Sequence, residues 1–292
     1  VKGLRDGKEA NDVQEIKEKT KEAAAFFDLD GTLVALPSLE KRFFRMLRYQ
    51  RAIPAGNYFL WLREALRLAP RGVSAILQAN KTYLRGVQIF DERGEGNGDA
   101  SFRHKAGHQA GPPPAPSRRN PRMPVPLFFA RAIEKAAWHV KQGHEIVLVS
   151  GTLEPLARAA AAAMEAELAA RGITVPIRVL ATQLEITGGR CTGRVLGEAM
   201  FGKAKARAVK RLAEEMQLDL EKSYAYGDSL NDQWLMAAVG RPAAVNPSRD
   251  LASMARRRGW PVLDWKRKES LTERRQGQGN VAVGNEQPRV AV

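Results

Sequence analysis

The sequence predicts an α/β fold: a doubly wound, mainly parallel sheet with a small helical cap inserted after its first strand. Three observations carry that prediction. From residue 127 onward, short apolar runs alternate with helix-length segments, the pattern of strands joined by crossover helices. Three of the strand-like runs end in small polar or acidic residues: Asp28 with Asp30, Ser150-Gly151-Thr152, and Asp228 with Asp232. A basic stretch with helical apolar spacing interrupts the alternation between the first two strands.

The bulk numbers set the frame. A chain of 292 residues suits one large or two modest domains, and 44% hydrophobic residues supply a core. The single cysteine, Cys191, excludes an internal disulfide framework and fits a reducing compartment. There is no uninterrupted apolar run of about 18 residues, and Val1-Lys2-Gly3-Leu4-Arg5-Asp6 has no signal-peptide core. A cytoplasmic location is therefore expected. The chain starts on Val1 rather than Met, which leaves its natural start open.

Net charge is +15, and it has an address. Between Ser38 and Phe90 there are ten Lys/Arg against two Glu, a net of +8. Beside a candidate catalytic strand, that excess fits an anionic substrate or an anionic surface. Nucleic acid is not expected as a partner, because the basic tail has no interleaved aromatics beyond Trp260 and Trp265.

In chain order, residues 1–22 alternate charge signs with few apolar anchors and read as a solvated arm. Residues 23–37 hold the first strand, read over Phe26 to Leu29 with Asp28 at its C-terminal end, followed by Asp30-Gly31-Thr32. Gly31 permits a bend there. Residues 38–126 form the expected cap. Ser38 reads as a helix N-cap, and short helices are broken at Pro54-Ala55-Gly56 and Pro70-Arg71-Gly72, with a further one over residues 73–87. Residues 91–126, rich in Gly and Pro, cannot bury enough apolar area to offset their ordering entropy and read as a flexible loop. His104 and His108 have the i, i+4 spacing of a metal pair, but so polar a segment favours the solvated reading.

Residues 127–265 return to the core. A helix over 127–142 leads to a buried strand over 144–152 that runs into the small polar residues Ser150-Gly151-Thr152, and Pro155 fits the first turn of the next helix. A strand over 177–181 runs into a hairpin over 184–195. A helix over 203–216 precedes Ser223-Tyr224-Ala225-Tyr226, which ends in Gly227-Asp228-Ser229-Leu230-Asn231-Asp232. Short strands at Pro242-Ala243-Ala244-Val245 and Pro261-Val262-Leu263 follow, then a basic, disordered tail over 266–292.

Parallel strands put all three polar ends on one edge of the sheet, where open α/β sheets bind ligands. Three carboxylates with few histidines suit a hard cation such as Mg²⁺. Ser150 and the N–H groups at the following helix start suit a phosphate oxygen. Lys203 or Lys205 supplies positive charge. Taken singly, each has a plainer reading: Ser150 as a helix cap, Asp232 as an exposed helix-start acid, either lysine as surface charge. Their joint placement at successive strand ends is what the plainer readings leave unexplained.

In this order the motifs Asp28-Leu29-Asp30-Gly31-Thr32, Ser150-Gly151-Thr152, a lysine, and Gly227-Asp228-Ser229-Leu230-Asn231-Asp232 resemble the haloacid dehalogenase superfamily, in the branch that includes the phosphoserine phosphatases. The resemblance covers about residues 23–37 and 127–265, and implies a Rossmann-like core with a helical cap. It implies that Asp28 is the nucleophile and forms an aspartyl-phosphate. Asp30 is then the general acid and later the base, with a pKa raised by acidic neighbours. Mg²⁺ is held by Asp28, the Asp30 carbonyl and Asp228. Ser150 and the Gly151 N–H hold the phosphate, and Asn231, Asp232 and Thr32 support the site. The family's lysine opens a helix with apolar residues four and seven later, which from Lys205 are Val209 and Leu212. Lys205 is therefore the expected site lysine.

The implied activity is a Mg²⁺-dependent phosphomonoesterase. A phosphotransferase using the same intermediate, or a basic binding module without turnover, are the alternatives. One departure bears on the substrate. In phosphoserine phosphatases a cap glutamate nine residues after the nucleophile reads the ammonium group; here that position is Pro37, and the nearest acid is Glu40. With Arg42, Arg45, Arg48 and Arg51 around it, the expected substrate is a more anionic phosphomonoester, or one with a lysolipid-like or sugar-like body. Tyr58, Phe59, Trp61, Leu62 and Leu66 are expected to pack between cap and core, with an apolar pocket or a weak contact with an anionic membrane surface as the other uses.

Overall fold

The computed structural model describes residues 22–88 and 126–266. The arm before Glu22, the segment containing His104 and His108, and the tail beyond Lys266 lie outside the described residues. The main sheet orders its strands β3 (Ile177–Thr182), β2 (Glu145–Leu153), β1 (Ala24–Phe27), β6 (Tyr224–Gly227), β7 (Arg241–Val245) and β8 (Val262–Leu263), and every pairing in it is parallel.

Strand β1 (Ala24–Phe27) is central and fully buried, as a strand covered on both faces must be. Its side chains alternate as the period of two requires. Ala25 and Phe27 join one core cluster, Ala24 and Phe26 the other. The insert follows as α1 (Leu39–Tyr49), α2 (Ala55–Leu68) and α3 (Val73–Ala79), with 3₁₀ turns at Ala69–Arg71 and Thr82–Leu84. Ser38 does cap α1, accepting from the Lys41 N–H at 3.4 Å. The helix expected over 73–87 stops at Ala79. Asn80 breaks it by turning its own amide to the Trp61 carbonyl, 2.8 Å away.

The chain leaves and re-enters the core at one place. Val34 bridges Phe128, and the Phe129 N–H donates to the Leu33 carbonyl at 2.9 Å. Helix α4 (Ala130–Lys141) then leads to β2 (Glu145–Leu153), α5 (Glu154–Ala169) and β3 (Ile177–Thr182). The hairpin β4 (Leu184–Thr187) and β5 (Arg190–Val195) stands apart from the main sheet. It ties to the insert: the Gly86 N–H donates to the Cys191 carbonyl at 2.8 Å, and the Cys191 N–H to that of Val87 at 3.0 Å.

Helix α6 (Lys203–Met216), β6 (Tyr224–Gly227), the short α7 (Gln233–Met236), β7 (Arg241–Val245), α8 (Arg249–Arg258) and β8 (Val262–Leu263) complete the sheet. One face is covered by α4 and α5 through Ile133, Ala136, Leu156 and Met164, with Phe43 and Leu47 of α1 in the same cluster. The other is covered by Val209, Leu235, Met236 and Leu251 of α6, α7 and α8. Burying a side chain the size of Phe26 or Leu148 contributes about 2–3 kcal/mol. No helix among the described residues is long and apolar enough to cross a membrane.

The insert departs from expectation on its outer side. Phe59, Leu62 and Leu66 are exposed rather than packed between cap and core, and Tyr58 is 44% exposed. Phe59, Leu62 and Leu66 occupy positions of α2 away from its buried residues Asn57, Ala65 and Leu68, so helical periodicity carries them outward.

Candidate active site

Register places the site. Phe27 of β1 pairs with Leu148 of β2 on one side and Tyr226 of β6 on the other. The residues just beyond these pairs, Asp28 and Gly227-Asp228, therefore emerge side by side. The Asp28 N–H is the last rung, donating to the Tyr226 carbonyl at 2.9 Å. The chain then turns: the Gly31 N–H donates to the Val34 carbonyl at 2.8 Å, with Gly31 at φ +97°. A Cβ at Gly31 would lie 2.1 Å from Asp228 Oδ2, so only glycine lets this turn pass so close to that carboxylate.

Asp28, Asp228 and Asp232 each offer a carboxylate oxygen within 4.8 Å of the others. Lys205 stands between two of them, with Nζ 2.5 Å from Asp28 Oδ1 and 2.6 Å from Asp232 Oδ1. Thr32 donates its hydroxyl to Asp28 Oδ2 at 3.1 Å. Asp232 is fixed from its other oxygen by Ser229, whose N–H and hydroxyl donate at 3.1 and 3.0 Å. Asp232 is thus buried in the cluster, not an exposed helix-start acid.

The electrostatics follow from this crowding. Burial raises the Asp28 pKa well above the usual carboxylate range; the charge of Asp232 adds to this and Lys205 opposes it. Burial and Asp232 likewise push Asp228 up to about 7. Burial pulls the Lys205 ammonium down, but Asp232 and Asp28 outweigh it and hold it above its ordinary value. Three carboxylates against one ammonium leave an excess of two negative charges, which is the charge of one divalent cation. An all-oxygen donor set of this kind fits a hard ion.

Asp30 faces elsewhere. Its Oδ1 accepts from the Leu39 N–H at 2.8 Å, linking the strand end to the first residue of α1. Its pKa is raised, chiefly by burial rather than by the acidic neighbours expected; Glu40 adds a smaller push. On the β2 side, Ser150 is buried but does not cap α5. The strand runs on to Leu153 through a register shift, and the Ser150 hydroxyl instead accepts from the Thr152 N–H at 3.2 Å. The Thr152 hydroxyl is buried with no hydrogen-bond partner among the described residues. Gly151 is overlaid by the Phe201 ring, whose edge would come within 2.2 Å of a Cβ there. Asn231 is exposed. Lys203, the alternative lysine, lies over the Trp234 ring at 5.0 Å.

Sequence reasoning missed Asn246. It follows β7 on the same edge, with φ +46°. Its Nδ2 donates to the Gly31 carbonyl at 3.2 Å, and its Oδ1 accepts from the Trp265 N–H at 2.8 Å. The signal was present: Asn246 is another polar residue at a strand's C-terminal end. Ser229, the clamp on Asp232, was equally within reach.

The chain is similar to known proteins over most of its length. A family model described as haloacid dehalogenase-like hydrolase matches residues 25–237. A probable phosphatase of Mycobacterium tuberculosis is 37% identical over 258 residues, covering 86% of this chain and 78% of its own length. A phosphoserine phosphatase of the same species is 29% identical over 245 residues, covering 84% of this chain and 71% of its own. A solved structure from Bordetella pertussis, a protein of unknown function, superposes with a TM-score of 0.54 at 24% identity, covering 84% of this chain and 100% of that one. That last likeness speaks for the fold alone. With a family match running from the first strand through α7 and a relative alike over most of both chains, the chain belongs to the haloacid dehalogenase-like hydrolases.

Proposed function

We propose that this phosphatase-class hydrolase cleaves small anionic or lipid-like phosphomonoesters through an aspartyl-phosphate on Asp28, with Mg²⁺ as its cation. The observation that carries the reading is the Lys205 ammonium bridging Asp28 and Asp232 at the sheet edge, with Asp228 beside them. Asp28, Asp228 and the Asp30 carbonyl, supported by Asp232, would hold the ion. When bound, it neutralises charge on the phosphoryl oxygens.

In the first step an Asp28 carboxylate oxygen attacks phosphorus. The bond from phosphorus to the alcohol oxygen breaks, and that oxygen takes the proton of the Asp30 carboxyl. In the second step the Asp30 carboxylate removes a proton from water, whose oxygen attacks phosphorus. The bond to Asp28 breaks and inorganic phosphate leaves. The raised pKa of Asp30 supports its starting in the acid form. Lys205 keeps Asp28 oriented and ionised against its burial. Ser150 and the Gly151 N–H would take phosphoryl oxygens, and Asn231 would join them from the rim.

Residues 38–88 act as the cap, since α1 is tied to Asp30 at its first residue. The exposed Phe59, Leu62 and Leu66 beside the basic residues of this segment support a weak contact with an anionic membrane surface. In the deciding experiment, Asp28→Asn reduces phosphate release from p-nitrophenyl phosphate in Mg²⁺ to background while the protein stays folded. Turnover like the wild type would remove Asp28 from its role.

A further inference from the structure

We infer that the protein has a second ligand site, for a small organic dianion with an apolar body, in the cavity bounded by α4, the first residues of β6 and β7, and the last residue of α8. The inference goes beyond the phosphatase reading and does not depend on it.

The cavity lies at the edge of the sheet opposite the carboxylate cluster. Tyr224 and Arg241, the first residues of β6 and β7, line it, whereas Asp228 follows the last residue of β6. Its volume is about 760 Å³, within the range of small-molecule sites. Met236, Val239, Pro261 and Leu263 give it apolar walls. Its charges are all of one sign: Lys135, Arg241 and Arg258 line it, and no Asp or Glu does.

Among the described residues, none of these three cations forms an ion pair. Aromatic rings hold them instead. The Arg241 guanidinium sits 5.1 Å from the Tyr224 ring centroid and donates through Nη1 to the Tyr224 hydroxyl at 2.5 Å. The Arg258 guanidinium lies 4.9 Å from the centroid of Trp260, and Lys135 Nζ 3.9 Å from that of Trp138. A guanidinium resting on a ring is fixed in place and keeps further N–H groups for an oxyanion. Burial lowers the Lys135 ammonium, with no carboxylate to offset it. Lys135 and Arg241 both depress the His144 imidazole, so their fields overlap there and add. Two negative groups on one ligand match this charge, and an apolar body between them covers the walls. A cationic ligand would meet three like charges, and a bare inorganic anion would leave the walls wet.

Two rigid dianions that are not phosphate esters test this. Naphthalene-2,6-disulfonate and naphthalene-2,6-dicarboxylate are titrated by calorimetry into the full chain with Mg²⁺, beside sulfate, acetate and the uncharged naphthalene-2,6-diol. At least one dianion is expected to bind at least about ten-fold more tightly than any of these fragments. The tighter of the two tells a tetrahedral from a planar anionic group. Arg241→Gln and Arg258→Gln, both at exposed positions, should each weaken that binding about ten-fold, the worth of one charge-assisted hydrogen bond. Arg211→Gln, which removes the same charge from an exposed position of α6, should leave it unchanged. Equal weakening by all three substitutions would reduce the effect to the net charge of +15 and overturn the site. So would dianions that bind no better than their fragments. Competitive inhibition of p-nitrophenyl phosphate hydrolysis, with an inhibition constant equal to the calorimetric Kd, would put the dianion in the active site and overturn the location. Loss of the phosphatase reading is seen separately, as Asp28→Asn turning over like the wild type.

Discussion

Lys205 Nζ lies 2.5 Å from Asp28 Oδ1, an ion pair closed across 177 residues of chain and buried on both sides. The same ammonium reaches Asp232 at 2.6 Å, so one cation holds two strand ends together. In the low dielectric of this edge neither carboxylate could stay ionised alone. The charge state of Asp28 and the geometry of the β1–β6 edge therefore depend on one side chain from α6.

Lys205→Met should cost both stability and turnover. Removing the partner of a buried carboxylate typically destabilises by about 3–5 kcal/mol. Denaturant unfolding in chelator should show a loss of that order, with phosphate release at background. Asp232→Asn should cost less stability in the same assay, because Asp28 keeps its lysine. Equal small losses would mean that the pair is not the clamp described.

Asp30→Asn separates the two proton transfers. p-Nitrophenolate leaves without a proton, whereas an alkoxide does not, and general acid catalysis is worth about 10²–10⁴-fold. Alkyl phosphates should slow by about that factor. p-Nitrophenyl phosphate should give a burst of about one equivalent of nitrophenolate, then a slow phase, since no base remains to activate water. Rapid mixing reads the burst. Equal slowing of both esters with no burst would remove Asp30 from both steps.

Gly31→Ala tests how closely the first turn passes the third carboxylate. At φ +97° a Cβ is strained, and it would stand 2.1 Å from Asp228 Oδ2. The backbone term alone is about 1–3 kcal/mol. Because Asp228 must move to relieve the contact, the Mg²⁺ concentration for half-maximal activity should rise as well. A stability loss with no change in the Mg²⁺ requirement would take Asp228 out of the ion's shell.

Much of this site was legible in the sequence because parallel strands impose a rule on their ends. Asp28, Asp228 and Asp232 could be placed on one edge from chain order alone, and Lys205 from the apolar spacing of its helix. Properties that depend on which surfaces meet were not legible. Helical periodicity gave faces for α1 and α2, but nothing in it pairs Glu40 with Lys81, 41 residues away. The register shift that carries β2 past Ser150 to Leu153 has no signature in a run of small residues. Asp30 was expected to be raised by other acids. Its actual neighbour, a backbone N–H from the insert, follows from the turn at Gly31 that takes it out of the cluster. Asn246 was within reach of the strand-end rule and was passed over.

The C-terminal end of α4 carries a pH dependence of its own. His139 is fully buried, its Nε2 2.8 Å from the Tyr226 hydroxyl and its Nδ1 2.8 Å from Nδ1 of His144. Burial, the neighbouring His144 and Lys135 push its pKa down to about 3. Burial, Arg241 and Lys135 lower His144 too. Two imidazoles sharing one hydrogen bond need one donor and one acceptor, so a second proton would set two N–H groups against each other. The unfolded chain binds that proton near pH 6.5 and the folded chain does not. Stability from this group is therefore complete above pH 6.5 and is lost as pH falls from there toward 3. At pH 5 the loss from His139 alone is about 2 kcal/mol. Urea unfolding at pH 7 and pH 5 should show it. His139→Gln, which keeps a polar partner for Tyr226 but cannot titrate, should start less stable at pH 7 and lose about 2 kcal/mol less between the two pH values. Parallel losses in both proteins would place the acid sensitivity in the carboxylates of the active-site edge instead.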